Sequence, residues 1–245
     1  MSTVNNIYDV IDKIAPFSSS MSFDNTGILI GDKNASVKKA LICLDITNTT
    51  VKEAKEIEAD VIISHHPIIF HALKSIEVGT AVWNLIKGGI NAICCHTNLD
   101  LCEEIGVNKA LAQKLSLTNL KKTEDFFTAE ISTITSNDLA KHIKMSLGTF
   151  VSYNFVEKNI KTIAMCSGAG GGIAYEVNDT DAIICGEASH DEVLEATRKN
   201  IAMFVCGHYE SEKIFDKLLI DYLKDNIEDV EFVLSKDEKP ALRYL

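Results

Sequence analysis

Residues 61–67 read VIISHHP, a short apolar run that ends in two adjacent histidines and a proline. Similar apolar runs lie on either side of it, ALICL at residues 40–44 and AICC at residues 92–95. Short continuous apolar runs are typical of strands that are buried on both faces, as in parallel sheets. Helical patterns separate the runs, at residues 50–59 and 81–87. This alternation predicts α/β units with a largely parallel sheet.

A second set of three apolar runs follows in the other half of the chain. It consists of TIAMC at residues 162–166, AIIC at 182–185 and AMFVC at 202–206. The third run of each set precedes the same pattern, a histidine followed four residues later by an acid. The two copies of this pattern are His96 with Asp100 and His208 with Glu212. We therefore predict two structurally related halves, residues 1–117 and 118–245.

Composition narrows the class of protein. The 35 acidic and 24 basic residues give a net charge of -11 with no long run of either sign, which argues against a nucleic-acid-binding surface. An uninterrupted apolar stretch of membrane-spanning length is absent, and residues 1–12 do not resemble a secretion signal. We therefore expect a cytoplasmic protein without a membrane anchor. The seven cysteines lack CxxC spacing and mostly lie in apolar runs, which favours buried reduced thiols over metal ligands.

Most of the histidines follow the C-terminal end of an apolar run. Ligands bind at that edge in open α/β sheets, because the strand ends and loops converge there. The remaining histidines, His71 and His142, are expected to be surface or capping residues. The residues predicted at the ligand-binding edge are His65, His66, His96, His190 and His208, together with Asp45, Asp100, Glu187 and Glu212.

The spacing of these residues suggests how they would hold metal ions. Consecutive side chains of an extended segment diverge, so His65 and His66 reach two neighbouring ions, or one ion if the chain turns at Pro67. His208 and Glu212 share one face if a helix starts near His208, and residues at that spacing can bind one metal. Ordinary helix-surface pairs have the same spacing, so this second feature alone decides nothing.

Together, the candidate ligands form a nitrogen and oxygen donor set that suits Zn, Mn, Fe, Co or Ni. The set leaves coordination positions for water, as catalytic rather than structural sites do. The ligands in question are His65, His66, Asp100, His208 and Glu212. The glycine-rich segment CSGAGGG, residues 166–172, lacks the signature of a phosphate loop, and we predict a tight turn with close backbone approach there.

Four motifs resemble those of the family named after yeast Ngg-interacting factor three, which includes YbgI-like proteins. The motifs are FDNTGILIG (23–31), SHHPIIF (64–70), HTNLD (96–100) and GHYESE (207–212). The resemblance implies a three-layer α/β/α fold of two intertwined repeats, assembled as a toroidal homohexamer. It also implies two divalent metal ions per chain, with the five ligands named above and with His96 close by. The tail at residues 234–245 lacks the Asn-Pro expected from the resemblance, so no substrate contact is carried over.

Metal-dependent hydrolysis is the reaction class that this site favours. His96 is the first candidate for proton transfer, followed by Glu187 and His190. The resemblance adds the possibility of a GTP cyclohydrolase I type 2 activity, in which the purine imidazole ring would be opened. The small-molecule substrate itself is not specified by the residues. The alternative is a non-catalytic protein that handles metal ions or organises partners.

Overall fold

All six apolar runs are β-strands in the computed structural model, which describes residues 1–243. The strands are β1 (Gly27–Ile30), β2 (Lys39–Cys43), β3 (Val61–Ser64), β4 (Asn91–Cys94), β5 (Thr118–Lys122), β6 (Phe127–Thr135), β7 (Ser152–Tyr153), β8 (Asn159–Cys166), β9 (Ala182–Cys185), β10 (Ala202–Val205) and β11 (Glu231–Leu234). Their alternation with helices confirms the predicted α/β class.

The helices lie mainly between the strands. They are α1 (Val4–Ile14), α2 (Asn48–Glu56), α3 (Ala81–Gly88), α4 (Thr97–Asp100), α5 (Val107–Lys114), α6 (Ser136–Leu147), α7 (His190–Arg198), α8 (His208–Glu212) and α9 (Phe215–Asn226), with short 3-10 helices at Phe17–Ser19 and Gly170–Tyr175. Over residues 1–243, no helix has both the length and the apolar character needed to cross a membrane.

The first compact unit comprises Met1–Ile105 and Asp216–Pro240. Its sheet has the order β1-β4-β3-β2-β11, in which only β1 is antiparallel to its neighbour. Helices α2 and α3 cover one face, where Val51 and Leu85 pack in a cluster with Leu41 and Ile62 of the sheet. Burial of both faces explains why the central strands of this sheet are continuous apolar runs.

The second unit comprises Gly106–Phe215 together with residues 241–243 of the described tail. Its sheet has the order β5-β6-β8-β9-β10-β7. Strands β8, β9 and β10 are parallel, whereas β5, β6 and β7 pair antiparallel with their neighbours. Helix α7 and the 3-10 helix at Gly170–Tyr175 cover one face, with Ile173 and Ala196 in a cluster that includes Ile183. Each unit therefore contains three adjacent parallel strands in chain order.

The two units also share a local hydrogen-bond pattern. In the first, Asp60 immediately before β3 accepts hydrogen bonds from two consecutive amides at the start of β2, at 2.7 and 3.1 Å. In the second, Asp181 immediately before β9 accepts from Lys161 and Thr162 in β8, at 3.0 and 3.1 Å. The compact units are divided at other points than the predicted halves, because β11 pairs with β2 and returns the chain to the first sheet.

The cysteines lie where the apolar runs placed them. Cys166 is half-buried and the other six are buried. Burial raises the pKa of Cys206 to about 12 and raises the pKa of Cys95 further above its usual range. The thiols of Cys95 and Cys206 are therefore held in their neutral form and are poor metal ligands and poor nucleophiles at neutral pH.

Candidate metal centre

His65 and His66 leave the end of β3 in the first unit. His65 is fully buried, and its Nδ1–H donates to the carbonyl oxygen of Cys95 at 2.8 Å. This bond places the ring lone pair on Nε2, which lies 3.4 Å from Asp100 Oδ1. Two acceptors at this separation are stabilised by a proton or a cation between them. The pair therefore fits a bound metal ion.

Carboxylates hold the other two imidazoles of the first unit. His66 Nδ1 donates to Asp45 Oδ1 at 2.8 Å, and His96 Nδ1 donates to Asp24 Oδ1 at the same distance. A metal-binding histidine is usually oriented in this way, with its second ring nitrogen bonded to a carboxylate or a carbonyl. In both residues, Nε2 is thus the ring nitrogen on the side away from the carboxylate, and it is suited to a ligand role.

The three imidazoles of the first unit form a cluster. The ring centroids are separated by 5.2 Å between His65 and His66, 5.2 Å between His65 and His96, and 5.5 Å between His66 and His96. One nitrogen from each ring lies within 4.8 Å of those of the other two. This cluster can hold a metal ion, and it includes His96, which the sequence had suggested for proton transfer.

Asp24 anchors His96 from a distant part of the chain. Its side chain is buried, and its second oxygen accepts hydrogen bonds from the Thr97 hydroxyl at 2.6 Å and the Thr97 amide at 3.1 Å. Burial acts to raise the pKa of Asp24, but the hydrogen bonds from His96 and Thr97 outweigh it and lower that pKa to about 2. Asp24 is therefore an anion at neutral pH, as the orientation of His96 requires.

The donors of the second unit lie on α8, which begins at His208 as predicted. His208 Nε2 lies 3.0 Å from Glu212 Oε2, and Nδ1 lies 3.3 Å from Glu187 Oε2. Burial acts to lower the pKa of His208, but the Glu212 and Glu187 carboxylates raise it to about 9. The same negative field favours a metal cation at this position.

The glycine-rich segment makes room for Glu212. Gly168 has a φ of +59°, and a Cβ at this position would overlap the Glu212 carboxylate. The amide of Gly168 donates to Ser211 Oγ at 3.0 Å, next to Glu212 in the chain. The predicted tight turn with close backbone approach is confirmed. The turn seats a buried carboxylate.

The two histidine motifs differ by one residue in their placement. The strand register pairs Cys94 with Ser64 in the first sheet and Val205 with Cys185 in the second. Two residues beyond these strand ends, His96 therefore corresponds to Gly207. His208 corresponds to Thr97. Accordingly, His96 precedes α4 as its N-cap residue, whereas His208 is the first residue of α8. The shared spacing in the sequence therefore does not mark equivalent positions in the two sheets.

The structure brings the predicted residues together in two groups. The first unit contains His65, His66, His96 and Asp100, with Asp45 and Asp24 behind them; the second contains His208, Glu212 and Glu187. His190 is exposed at the start of α7. His71 is exposed, and His142 Nε2 donates to the Leu115 carbonyl at 2.8 Å. Asp24 lies in the FDNTGILIG motif at residues 23–31, but the sequence alone did not assign it to the site.

A cavity of about 460 Å³ adjoins Glu187 in the second unit. Its walls are largely apolar, with Phe150 and Val205 among them, and its acidic side chains are Glu187 and Glu192. Among the described residues, its lining includes no lysine or arginine. The cavity therefore offers little attraction to a phosphate group.

Comparisons with known proteins show the family to which the chain belongs. The profile of the family described as Duf34/NIF3 (NGG1p interacting factor 3) matches residues 2–240. A Campylobacter jejuni protein named GTP cyclohydrolase 1 type 2 homolog is 30% identical over 240 residues, 96% of this chain and 97% of that relative. NIF3-like protein 1 of Drosophila melanogaster is 29% identical over 254 residues, 95% of this chain and 86% of that relative.

Solved structures share the fold. The crystal structure of Staphylococcus aureus protein SA1388 has a TM-score of 0.89 and 25% identity, and the match covers 100% of this chain and 99% of that one. Protein ybgI has a TM-score of 0.89 at 21% identity, over 98% of this chain and all of that one, which shows the fold alone.

The fold and the histidine cluster define an α/β protein with candidate metal-binding sites. More particularly, the chain belongs to the Duf34/NIF3 family, because the family profile covers nearly all of it. The resemblance of the four sequence motifs is thereby confirmed.

Proposed function

We propose that the chain binds two divalent metal ions and uses them to hydrolyse a small-molecule substrate. The proposed ligands are His65, His66, Asp100, His208 and Glu212. One observation carries the proposal: in all four imidazoles of the two groups, Nδ1 faces an oxygen acceptor. This pattern fixes ring orientation and assigns Nε2 to the ligand role, as is usual around protein-bound Zn and Fe.

The protein residues would orient the reactants and move protons. A pair of divalent ions, when bound, supplies Lewis acidity that polarises a substrate oxygen and lowers the pKa of water. His96, held by Asp24, is the proposed proton-transfer residue. Its carboxylate partner fixes the orientation of the ring, as general acid–base catalysis requires.

The substrate is best sought in a broad panel. GTP belongs in it, because relatives of this chain are named GTP cyclohydrolase 1 type 2 homologs. The cavity beside Glu187 has two carboxylates in its lining and no basic side chain among the described residues. We therefore expect uncharged or cationic heterocycles, including nucleosides, to be accepted at least as well as triphosphates.

Turnover by metal-loaded protein tests the catalytic proposal. The protein would be loaded separately with Zn, Mn, Fe, Co and Ni and assayed against GTP, nucleosides and phosphoesters. With the substrate that is turned over, His96→Gln should lower kcat by about 10²- to 10⁴-fold, which is the usual contribution of a general acid or base. His142→Gln is the matched control, because His142 bonds to the Leu115 carbonyl, and it should keep its activity. Equal kcat in His96→Gln and the control would contradict the role of His96.

The alternative is a metal-handling or scaffold protein. The same donor groups favour it, since a metal ion with open coordination positions can also be passed on to the ligands of a partner. Only the ligands would matter in that case, and no substrate of the panel would be turned over. Metal content measured on His96→Gln separates the two roles of His96: loss of metal identifies a ligand, and retained metal with lost turnover identifies a proton carrier.

We also propose the homohexamer that the resemblance implies. Exposed apolar side chains give the chain surface for self-association, among them Phe155 and Met145, of which Phe155 is completely exposed.

A further inference from the structure

The C-terminal segment after β11 is fastened to α2 of the same unit. The buried Glu53 carboxylate accepts hydrogen bonds from the Ser235 hydroxyl at 2.5 Å and from the Lys236 and Asp237 amides at 2.8 and 3.3 Å. The Glu238 amide in turn donates to Ser235 Oγ at 3.2 Å. These bonds form a turn that fixes where the Glu238 side chain begins.

Glu238 then caps the end of β2. Its Oε1 accepts hydrogen bonds from the Leu44 amide at 2.6 Å and from the Asp45 amide at 2.9 Å. Hydrogen bonds to a carboxylate are shorter and about twice as strong as those between neutral groups. The backbone immediately after β2 is therefore held by a charge that the C-terminal segment supplies.

Both residues held by Glu238 also hold His66. The Asp45 carboxylate accepts from His66 Nδ1 at 2.8 Å, and the Leu44 carbonyl accepts from the His66 amide at 2.9 Å. Glu238 thus acts on the ring and on the backbone of His66 through two neighbouring residues. All of these residues belong to the first unit.

We propose that Glu238 is a positioning residue for His66: by fixing Leu44 and Asp45, it sets the orientation and the tautomer of the His66 imidazole. The part of this proposal that concerns metal affinity rests on the proposed function. The part that concerns the ring does not.

Strand pairing alone already attaches the C-terminal segment to the first sheet. The proposed positioning role of Glu238 can therefore be distinguished from a role in folding. β11 pairs with β2 over four residues, and the Ser235 amide donates to the Ile42 carbonyl at 2.8 Å. Loss of the Glu238 carboxylate should therefore leave the first sheet intact. Its effect should be felt at Asp45 and His66.

The first test uses metal-free protein. Two-dimensional 15N NMR of the imidazole nitrogens reports the tautomer of each ring. Glu238→Ala should shift the His66 signals away from the Nδ1–H tautomer, and Glu238→Gln, which keeps one acceptor oxygen, should shift them less. Asp237→Asn is the matched control, because Asp237 is exposed and binds Glu53 through its amide. Unchanged His66 signals in Glu238→Ala would overturn the proposal, whether or not the protein binds metal.

The second test measures metal affinity and the ligand field. Co²⁺ affinity should fall by roughly 3- to 10-fold in Glu238→Ala, less than the 10- to 100-fold usual for a residue that directly holds a ligand. The visible Co²⁺ spectrum should change as well, with Glu238→Gln intermediate and Asp237→Asn unchanged. A lower melting temperature with unchanged affinity and spectrum would show a purely structural role and refute positioning. Failure of the wild type to bind Co²⁺ would instead refute the proposed function.

Discussion

At His65, the carbonyl oxygen of Cys95 decides which ring nitrogen faces Asp100. The same logic recurs at His66 with Asp45 and at His96 with Asp24. In each ring, Nδ1 is bonded to an oxygen acceptor. The side chain therefore loses little further rotamer freedom when a ligand binds. The donor atoms are thus arranged in advance by hydrogen bonds that the sequence does not display.

Gly168 offers a test of how Glu212 is seated. In Gly168→Ala, the new Cβ would overlap the Glu212 carboxylate, and a non-glycine residue would occupy a φ of +59°. We expect the free energy of unfolding to fall by about 2 to 4 kcal/mol, from backbone strain and overpacking together. Metal affinity should fall as well, because Glu212 must move. Urea unfolding and competitive chelator titration measure the two effects.

The same glycine run provides the control for Gly168→Ala. An added Cβ at Gly172 would meet its nearest neighbour, Glu192 Oε1, at 3.6 Å, which is an ordinary contact. Gly172→Ala should therefore keep both stability and metal affinity. If Gly168→Ala binds metal as tightly as Gly172→Ala does, the position of the Glu212 carboxylate does not depend on the absence of a Cβ at Gly168.

The candidate ligands were predictable because chemistry follows the C-terminal ends of strands in α/β sheets. Their supporting partners were not. Asp24 is 72 residues from His96, and Glu238 is 193 residues from Asp45, so no local spacing connects them. A short sequence motif suggests a candidate ligand, whereas the residue that orients that candidate is defined only once the chain has folded.

At the scale of the elements, the apolar runs predicted the six central strands because burial on both faces leaves an uninterrupted pattern. The antiparallel edge strands β1, β5 and β7 were not predicted: β5 and β7 carry no such run, and the three-residue run at 28–30 in β1 was not recognised as a strand. The return of the chain through β11 was also missed, since the pairing of β11 with β2 joins residues far apart in the sequence. Local patterns thus specify the strands but not the sheet edges.

Asp181 is expected to link the two parallel strands β8 and β9 in a pH-dependent way. Burial acts to raise its pKa, but hydrogen bonds from the Thr162 and Lys161 amides and from Lys158 lower it from 3.8 to about 2. Because the folded pKa lies below the unfolded one, the stabilisation is complete above pH 3.8 and is lost as the pH falls toward 2. Asp181→Asn should therefore lower the free energy of unfolding by about 1 to 2 kcal/mol at pH 7, allowing for partial exposure.

Urea unfolding between pH 7 and pH 3 checks this expectation. The difference between wild type and Asp181→Asn should be constant down to about pH 5 and should shrink below it. The exposed Asp179, two residues earlier, supplies the control variant Asp179→Asn, which should match the wild type. A difference that grows as the pH falls would contradict the assigned direction of the pKa shift.

For the whole molecule, family membership extends over residues 2–240, so the fold of the entire domain was recognisable from four motifs. The proposed ligands are divided between the two compact units, His65, His66 and Asp100 in one and His208 and Glu212 in the other. The central claim is that these residues hold two divalent metal ions per chain.

Metal content per chain tests this central claim most directly. The protein would be purified without chelator and without a histidine tag and then measured by inductively coupled plasma mass spectrometry beside Glu212→Ala and the control His142→Gln. We predict about two equivalents in the wild type and the control, and a clear loss in Glu212→Ala. Absence of bound metal in the wild type, with none recovered after incubation with Zn, Mn, Fe, Co or Ni, would contradict the metal centre and the hydrolytic mechanism that depends on it.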